Sequence, residues 1–195
     1  MDLQERIRCF LSIEVGQSAV QSIKVTQSAL SDLSDVYTLT DPNSFHQTLY
    51  FLGQCSLDQI EEVKSRMSDF QFKAFTAELG QLVVLPQLEI PKVLSVAIDS
   101  RGRKLHALQQ AVQDRIFSVA EFKESRPFLP HVTFARLRRD VPPTAKVVKR
   151  TVSALPPTKS ESWKVDRVIL YSSDLRASGP KYEELASWVL SGSEH

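Results

Sequence analysis

A short phrase that the chain contains twice, His-x-Thr followed by an apolar residue, limits its fold and chemistry more than any other feature. The two copies are His46-Gln47-Thr48-Leu49 and His131-Val132-Thr133-Phe134. β-Branched and aromatic residues dominate around both copies and turn formers precede them, which predicts a β-strand in each case. Because alternate side chains of a strand point to the same face, each histidine shares a face with its threonine.

If both strands face one volume, the chain has the groups for acid–base chemistry on a phosphate. Histidine titrates near neutral pH, so one imidazole can take a proton while the other gives one. The threonine hydroxyls can donate hydrogen bonds to phosphoryl oxygens. A single His-x-Thr strand is usually only a strand with a polar face, but these copies hold two of the chain's four histidines. We therefore predict catalytic roles for His46 and His131 and phosphate binding by Thr48 and Thr133.

The elements predicted around the two copies also repeat. Each copy has a strand and a helix before it, and a helix and a strand after it. The two histidines stand 85 residues apart, close to half of the 195 residues. An internal duplication explains both observations. We expect a single domain over residues 1–195 that consists of two similar lobes, with the halves meeting near residues 86–92 and facing a shared cleft.

Two details of the first half bear on the site. Residues 7–15 alternate between apolar and polar side chains, which is typical of a half-buried strand. Phe10 lies on the polar side of that strand, where it either packs against a neighbour or offers a platform for a nucleobase. In the helix predicted over residues 17–33, Gln27 interrupts the apolar stripe.

Further segments match a known pattern. They are an opening strand at residues 7–13, Pro42 before the first histidine, Arg-Pro-Phe-Leu-Pro-His-Val-Thr-Phe-Ala-Arg at 126–136, and Gly179-Pro180-Lys181-Tyr182 after a late strand. With these, the chain resembles the 2H phosphoesterases, and more closely their LigT-like branch, the RNA 2′,3′-cyclic phosphodiesterases. The resemblance runs from about residue 7 to residue 190. It departs at 43–45, Asn-Ser-Phe, where the branch more often has an acidic residue, Asn and Leu.

The resemblance implies an α+β, bilobal fold in which two antiparallel-rich sheets face a central cleft, with helices outside and terminal strands exchanged between lobes. It implies hydrolysis of RNA 2′,3′-cyclic phosphate ends to a 2′-phosphate, and phosphate binding by Arg136. Strict alternation would put Arg136 on the face opposite His131, so either the strand bulges or Arg136 serves the structure. Arg126 and Phe10 are the other candidate substrate contacts.

The assignment of roles and some alternatives stay open at this point. We assign His46 as the acid that protonates the leaving 3′ oxygen and His131 as the base that activates water. The basis is that Arg126 and Arg136 lie near His131 in sequence, and nearby positive charge lowers a histidine pKa. Alternatives are 2′-5′ RNA ligation at the same site, hydrolysis of a small nucleotide such as ADP-ribose 1″,2″-cyclic phosphate, and an RNA-binding module without catalysis.

Charge is unevenly distributed, although the net charge is only +1. Residues 101–150 hold 12 of the 24 Lys and Arg residues and 4 of the 23 Asp and Glu residues, a net charge of +8. Such a segment is commonly just a solvated face, but this one contains the second motif. We therefore predict that it guides a polyanion, RNA with a cyclic phosphate end, to the site.

The remaining features exclude several classes of protein. No apolar run approaches the roughly 20 residues of a membrane span, and the first residues lack the basic start and apolar stretch of a signal peptide. Cys9 and Cys55 are far apart in sequence, and neither they nor the histidines have metal-ligand spacing. We expect a cytoplasmic monomer with no protein partner, no membrane association, no metal and no cofactor.

Overall fold

The computed structural model describes residues 6–119, 127–156, 158–176 and 179–193. The helices are α1 (Gln17–Ser28), α2 (Leu57–Met67), α3 (Lys104–Ile116) and α4 (Ala145–Ala154). The strands are β1 (Ile7–Glu14), β2 (Tyr37–Leu39), β3 (His46–Cys55), β4 (Lys73–Gln87), β5 (Ile90–Ser100), β6 (His131–Leu137), β7 (Ser162–Val165), β8 (Arg167–Arg176), β9 (Gly179–Val189) and β10 (Ser191–Ser193). Both His-x-Thr motifs therefore begin strands, as predicted.

Within the described ranges, the strands form two sheets. The first has the order β3-β1-β8-β9 with antiparallel pairs throughout. The second has the order β10-β4-β5-β6-β2, and β7 also pairs with β4. Among the described pairs of the second sheet, β10 is parallel to β4 and the others are antiparallel. The predicted α+β fold with antiparallel-rich sheets is confirmed.

Each sheet takes strands from both halves of the chain. The first sheet combines β1 and β3 with β8 and β9, and β2 pairs with β6 in the second. The hairpin of β4 and β5, whose tip is at residues 88–89, belongs entirely to the second sheet. The division into two pseudo-symmetric lobes that meet near residues 86–92 stays a prediction.

The first strand, β1, is buried on both faces, so the prediction of a half-buried strand was wrong. β1 lies between β3 and β8, and its residues from Cys9 to Ile13 are all buried. Phe10 and Ser12, on the side predicted to be polar, are 4% and 0% exposed. That side is covered because aromatic rings of β8 and β9 pack over Phe10.

Local capping sets the starts and ends of the helices. α2 begins with the predicted capping box, in which Ser56 Oγ accepts from the Gln59 amide at 3.2 Å and Gln59 Oε1 accepts from the Ser56 amide at 2.9 Å. α1 ends at Ser28, earlier than predicted. The helix ends in a tighter, 3₁₀-type turn, in which the Leu30 amide donates to the Gln27 carbonyl at 3.0 Å.

The helices cover one face of the sheets and leave the motif faces accessible. α3 packs against β3 and β5, and α1 packs against β6 and β7. In β3, Gln47 and Leu49 are buried, whereas His46 and Thr48 on the other face are half-buried. Over the described ranges, no helix combines the length and the apolar character that crossing a membrane requires.

Candidate active site

The two motif histidines are held in the same way. His46 opens β3 and His131 opens β6. Nδ1 of His46 lies 2.7 Å from the carbonyl oxygen of Ser44, and Nδ1 of His131 lies 2.7 Å from that of Leu129. Because a carbonyl oxygen can only accept, each Nδ1 carries a proton and donates it. Nε2 is therefore the nitrogen at which each neutral ring can take up a proton.

Around His46, three rings form an aromatic wall that consists of Phe10, Tyr171 and Tyr182. The centroid of the His46 ring lies 4.8 Å from that of Phe10 and 5.0 Å from that of Tyr182, which is edge-on. Phe10 in turn lies 5.1 Å from Tyr182 and 5.7 Å from Tyr171. Phe10 thus packs against the imidazole itself, and its use as a nucleobase platform stays a prediction.

Thr48 lies on the same face of the first sheet as His46. On the neighbouring strand β1, Glu14 is opposite His46 and Ser12 is opposite Thr48. The hydroxyl of Ser12 is buried and has no hydrogen-bond partner among the described residues. The face that carries the first motif therefore combines aromatic rings against His46 with the polar side chains of Glu14 and Ser12 on the neighbouring strand.

Just after the second motif, β6 contains a bulge. Thr133 is paired with Ser95 of β5, but Ala135 is paired with Leu94, so Phe134 is an extra residue in the register. Phe134 and Ala135 are both buried, although neighbours in a regular strand point to opposite faces. The alternation of faces therefore shifts by one residue at Phe134.

The bulge places Arg136 on the face that carries His131. Arg136 is paired with Val93, two residues from Ser95, and residues two apart in β5 share a face. Of the two alternatives that the sequence left open, the structure has the bulged strand. The positive charge of Arg136 also acts on His46 and lowers the pKa of that imidazole. Arg136 is thus close to both motifs.

Gln27 of α1, which interrupts the predicted apolar stripe, completes the hydrogen bonding of the bulge. Its buried Nε2 donates to the carbonyl of Phe134 at 2.9 Å and to that of Thr40 at 2.7 Å. The Thr40 amide donates to the same Phe134 carbonyl at 2.9 Å. The carbonyl of the extra residue is therefore satisfied from both α1 and the end of β2.

The pKa of His46 is lowered from its ordinary value. The largest cause is burial of the imidazole, which the charges of Arg136 and His131 reinforce, while the hydrogen bond to the Ser44 carbonyl opposes it. In the sequence Arg136 lies near His131, but in the structure the charge of Arg136 also lowers the pKa of His46. That reason for making His46 the acid is not supported, and the assignment of the two roles stays a prediction.

The two motif strands face a common volume without pairing. β3 belongs to the first sheet and β6 to the second. The side-chain oxygen of Gln47 accepts a hydrogen bond from the backbone amide of His131, and the two imidazoles are close enough to interact electrostatically. The structure therefore brings together the residues to which the sequence assigned catalysis and phosphate binding: His46, Thr48, His131, Thr133 and Arg136.

Some features of the site were missed by sequence reading, and one prediction lies outside the described residues. From the sequence, Tyr182 was noted only as part of a Gly-x-x-Tyr segment, and no role was assigned to Gln47. The signal that could have identified Gln47 is a polar residue at an inward-facing position of a strand. Ser95 gave no signal, yet its Oγ lies 3.3 Å from Thr133 Oγ1. Arg126 lies outside the described residues, so its role as a substrate contact stays a prediction.

The charges of the basic segment, residues 101–150, are partly balanced by acidic residues. Arg115 pairs with Asp69 at 2.5 Å, and Arg150 pairs with Asp35 at 3.1 Å. Both pairs lie at the surface, where solvent screens them. The net charge counted along the sequence therefore overstates the local charge, because the acidic partners come from other segments.

Potential metal ligands are not clustered in the part of the chain that the structure describes: no group of three or more His, Cys, Asp and Glu side chains is placed to hold an ion. Cys9 and Cys55 are both buried and unbridged. The pKa of the Cys9 thiol is raised, mainly by the hydrogen bond with Cys55 and secondly by burial. The predicted independence from metals remains to be measured.

The resemblance to the 2H phosphoesterases predicted paired His-x-Thr strands from two antiparallel-rich sheets, and the structure has this arrangement. Residues 36–177, which contain both motifs, match the family model of the 2′-5′ RNA ligase superfamily. This span is most of the chain, and the chain therefore belongs to the 2′-5′ RNA ligase superfamily. The resemblance inferred from the sequence is confirmed.

Two curated relatives match most of this chain. An RNA 2′,3′-cyclic phosphodiesterase of Archaeoglobus fulgidus is 26% identical over 182 residues, which cover 92% of this chain and 98% of that protein. A protein of the same name from Aeropyrum pernix is 29% identical over 150 residues, which cover 76% of this chain and 82% of that protein.

Solved structures share the fold over almost the whole chain. A protein of Thermus thermophilus has a TM-score of 0.80 at 20% identity, covering 96% of this chain and 100% of that chain. E. coli LigT complexed with 3′-AMP has a TM-score of 0.77 at 21% identity, and the match covers 95% of this chain and 99% of that chain.

Proposed function

We propose that this chain hydrolyses the 2′,3′-cyclic phosphate ends of RNA to a 2′-phosphate and a 3′-hydroxyl. The observation that carries the proposal is the convergence of His46 and His131 from two sheets, each with its Nδ1–H donated to a backbone carbonyl. The relatives from Archaeoglobus fulgidus and Aeropyrum pernix, which bear the name RNA 2′,3′-cyclic phosphodiesterase, support the choice of substrate.

Hydrolysis by in-line displacement needs one proton transfer on each side of phosphorus. Water is activated on one side, and the leaving ribose oxygen is protonated on the other. One imidazole cannot easily serve both sides, whereas Nε2 of His46 and Nε2 of His131 approach the cleft from different sheets. The five-membered cyclic ester is already strained, so these two proton transfers suffice without a metal ion.

Negative charge that develops on the phosphoryl oxygens needs hydrogen-bond donors and a cation. Thr48 and Thr133 supply a hydroxyl from each motif, and Arg136 supplies a guanidinium on the face that carries His131. The Ser95 hydroxyl, 3.3 Å from Thr133 Oγ1, can accept from or donate to that threonine and so orient it. Fixed donors of this kind stabilise the transition state without reorganising during the reaction.

The test is turnover of short RNAs that end in a 2′,3′-cyclic phosphate, with the 2′- and 3′-phosphate products separated. We expect a 2′-phosphate, because the leaving group is the 3′ oxygen. A 3′-phosphate product would contradict this regiochemistry, and wild-type protein that leaves the cyclic end intact would contradict the function. RNA is the partner in this proposal, and a monomer in the cytoplasm stays the prediction from the sequence.

The match to the 2′-5′ RNA ligase superfamily supports a second candidate, 2′-5′ ligation. Ligation is the same displacement with the 5′-hydroxyl of a second RNA in place of water: its oxygen forms the new bond to phosphorus, the bond to the 3′ oxygen breaks, and a 2′-5′ diester and a 3′-hydroxyl remain. The two activities are compared by adding an RNA with a 5′-hydroxyl and measuring joined and hydrolysed products. A non-catalytic RNA-binding module would instead bind RNA equally well in the wild type and in His46→Ala, and neither protein would turn it over.

A further inference from the structure

Gln47 stands between His46 and Thr48 in the first motif, but its side chain is buried on the opposite face of β3, with 2% of it exposed. Its Oε1 accepts from the backbone amide of His131, and its Nε2 donates to the carbonyl of Thr48 at 2.5 Å. One side-chain amide therefore joins the first motif to the first residue of the second.

The amide of His131 needs this acceptor because of where it lies in the second sheet. The Ile98 amide of β5 donates to the carbonyl of Pro130 at 3.1 Å. In an antiparallel pair the amide of the next residue points away from that partner, so the His131 N–H faces away from β5. On that side β2 is paired with residues 135–137, beyond the end of the motif. Gln47 supplies the acceptor that a neighbouring strand would otherwise provide.

Burial alone would not require glutamine at this position. Leu49 is buried on the same face of β3, so an apolar side chain fits the surroundings. Gln47 differs because both ends of its amide are hydrogen-bonded and one partner belongs to a motif histidine. Since β3 and β6 lie in different sheets, this contact links the starts of the two motif strands directly.

We propose that Gln47 is a positioning residue that sets where the imidazole of His131 lies relative to that of His46. The inference rests on the proposed function, because it concerns proton transfers on both sides of one phosphate. Without the Gln47 amide, the start of β6 can shift while Thr48, Thr133 and Arg136 still hold the phosphate. A misplacement of about 1 Å is enough to lower a rate about 100-fold. The loss therefore falls on kcat more than on KM.

The experiment compares Gln47→Met, which keeps the length of the side chain and removes both hydrogen bonds, with Gln54→Met. Gln54 is an exposed glutamine of the same strand and is the matched control. We expect kcat of Gln47→Met to fall about 10- to 100-fold with KM within about 3-fold of the wild type. We expect Gln54→Met to match the wild type. Wild-type kcat in Gln47→Met, with or without a lower melting temperature, would overturn the proposal.

A second readout does not depend on turnover. In the wild type the amide hydrogen of His131 should exchange slowly with solvent, and in Gln47→Met it should exchange faster while the amides of β1 keep their protection. Unchanged exchange at His131 would overturn the role of Gln47 even if the wild type were active. Inactive wild-type protein with faster exchange in Gln47→Met would contradict the proposed function and leave the positioning contact supported.

Discussion

The imidazole of His46 lies edge-on to the phenol ring of Tyr182, with the ring centroids 5.0 Å apart. Tyr182 belongs to β9, near the end of the chain, and β9 and β3 are the edge strands of the same four-stranded sheet. The rings of Tyr182 and Phe10 together exclude water from around the imidazole of His46. Burial of this kind disfavours the charged form and is the main cause of the lowered pKa of His46.

Removing the phenol ring should raise the pKa of His46. In Tyr182→Ala, water reaches the imidazole, and the protonated form becomes easier to form at a given pH. The measurement is an NMR titration of the histidine ring protons in the wild type and the variant. His106, whose pKa is lowered by burial and by Arg103, serves as the internal reference and should not change. An unchanged pKa of His46 would show that the aromatic wall does not control its solvation.

The parts of the site that the sequence predicted are those that depend on local pattern. The two His-x-Thr strands and the capping box of Ser56 and Gln59 follow from residue type and spacing within a few positions. The bulge at Phe134 does not, because its carbonyl is satisfied by Gln27, which is 107 residues away in sequence. Strict alternation therefore gave Arg136 the wrong face, and the family resemblance, rather than geometry, kept it as a candidate.

Burial and electrostatics were harder to predict than the strands themselves. β1 was expected to be half-buried, since its alternation cannot reveal that β8 and β9 place aromatic rings over Phe10. Arg136 was assigned to the surroundings of His131 by nearness in sequence, although its charge also reaches His46 across the cleft. Both effects are set by tertiary contacts between distant strands.

Arg136 should influence both substrate binding and the pH dependence of the reaction. If His46 is the acid, kcat/KM falls as pH rises through its pKa, which in the free protein lies below the ordinary value of 6.5. Arg136→Gln removes a positive charge, so this pKa rises and the decline moves to higher pH. KM should rise as well, since a phosphate contact is lost. The control is Arg139→Gln, an exposed arginine beyond the end of β6. A decline at the same pH in both variants would contradict the electrostatic role of Arg136.

Substitution of either motif histidine should nearly abolish turnover on RNA. We expect His46→Ala and His131→Ala to lose about 100- to 10,000-fold in kcat, the usual range for a lost general acid or base. His106→Ala is the control and should retain wild-type activity. If His46 is the acid, an aryl phosphodiester whose leaving oxygen needs no protonation should partly rescue His46→Ala but not His131→Ala. The reverse pattern of rescue would exchange the two roles.

Chelation should leave hydrolysis unchanged. The prediction rests on two imidazoles that supply both proton transfers and on a substrate ring that is already strained. The measurement is kcat on cyclic-phosphate RNA after prolonged treatment with EDTA, with and without added Mg²⁺, Mn²⁺ or Zn²⁺. Activity that disappears with EDTA and returns with one of these ions would contradict it.

The basic segment should matter for RNA but not for a single nucleotide. Arg103 is an exposed cation of this segment. Burial and the charge of Arg103 lower the pKa of His106, whose ring lies 5.3 Å from that of Phe128, three residues before His131. If cations such as Arg103 contact RNA phosphates, binding releases counterions from the RNA. The value of kcat/KM on an oligonucleotide should therefore fall steeply as the salt concentration rises. A nucleoside 2′,3′-cyclic phosphate offers no further phosphates along a chain, and its kcat/KM should depend only weakly on salt.

Replacing Arg103 tests whether that residue is part of the RNA path. Arg103→Gln should lower kcat/KM on the oligonucleotide and reduce the slope of log kcat/KM against log salt by about 1, the value expected for one lost phosphate contact. Lys24→Gln, which removes an exposed cation from α1, should leave the slope unchanged. The oligonucleotide and the nucleoside cyclic phosphate share the reacting group, so a difference between their slopes isolates contacts away from the chemistry. Equal slopes for the two substrates would mean that residues 101–150 are only a solvated face, and an unchanged slope in Arg103→Gln would place the RNA path elsewhere.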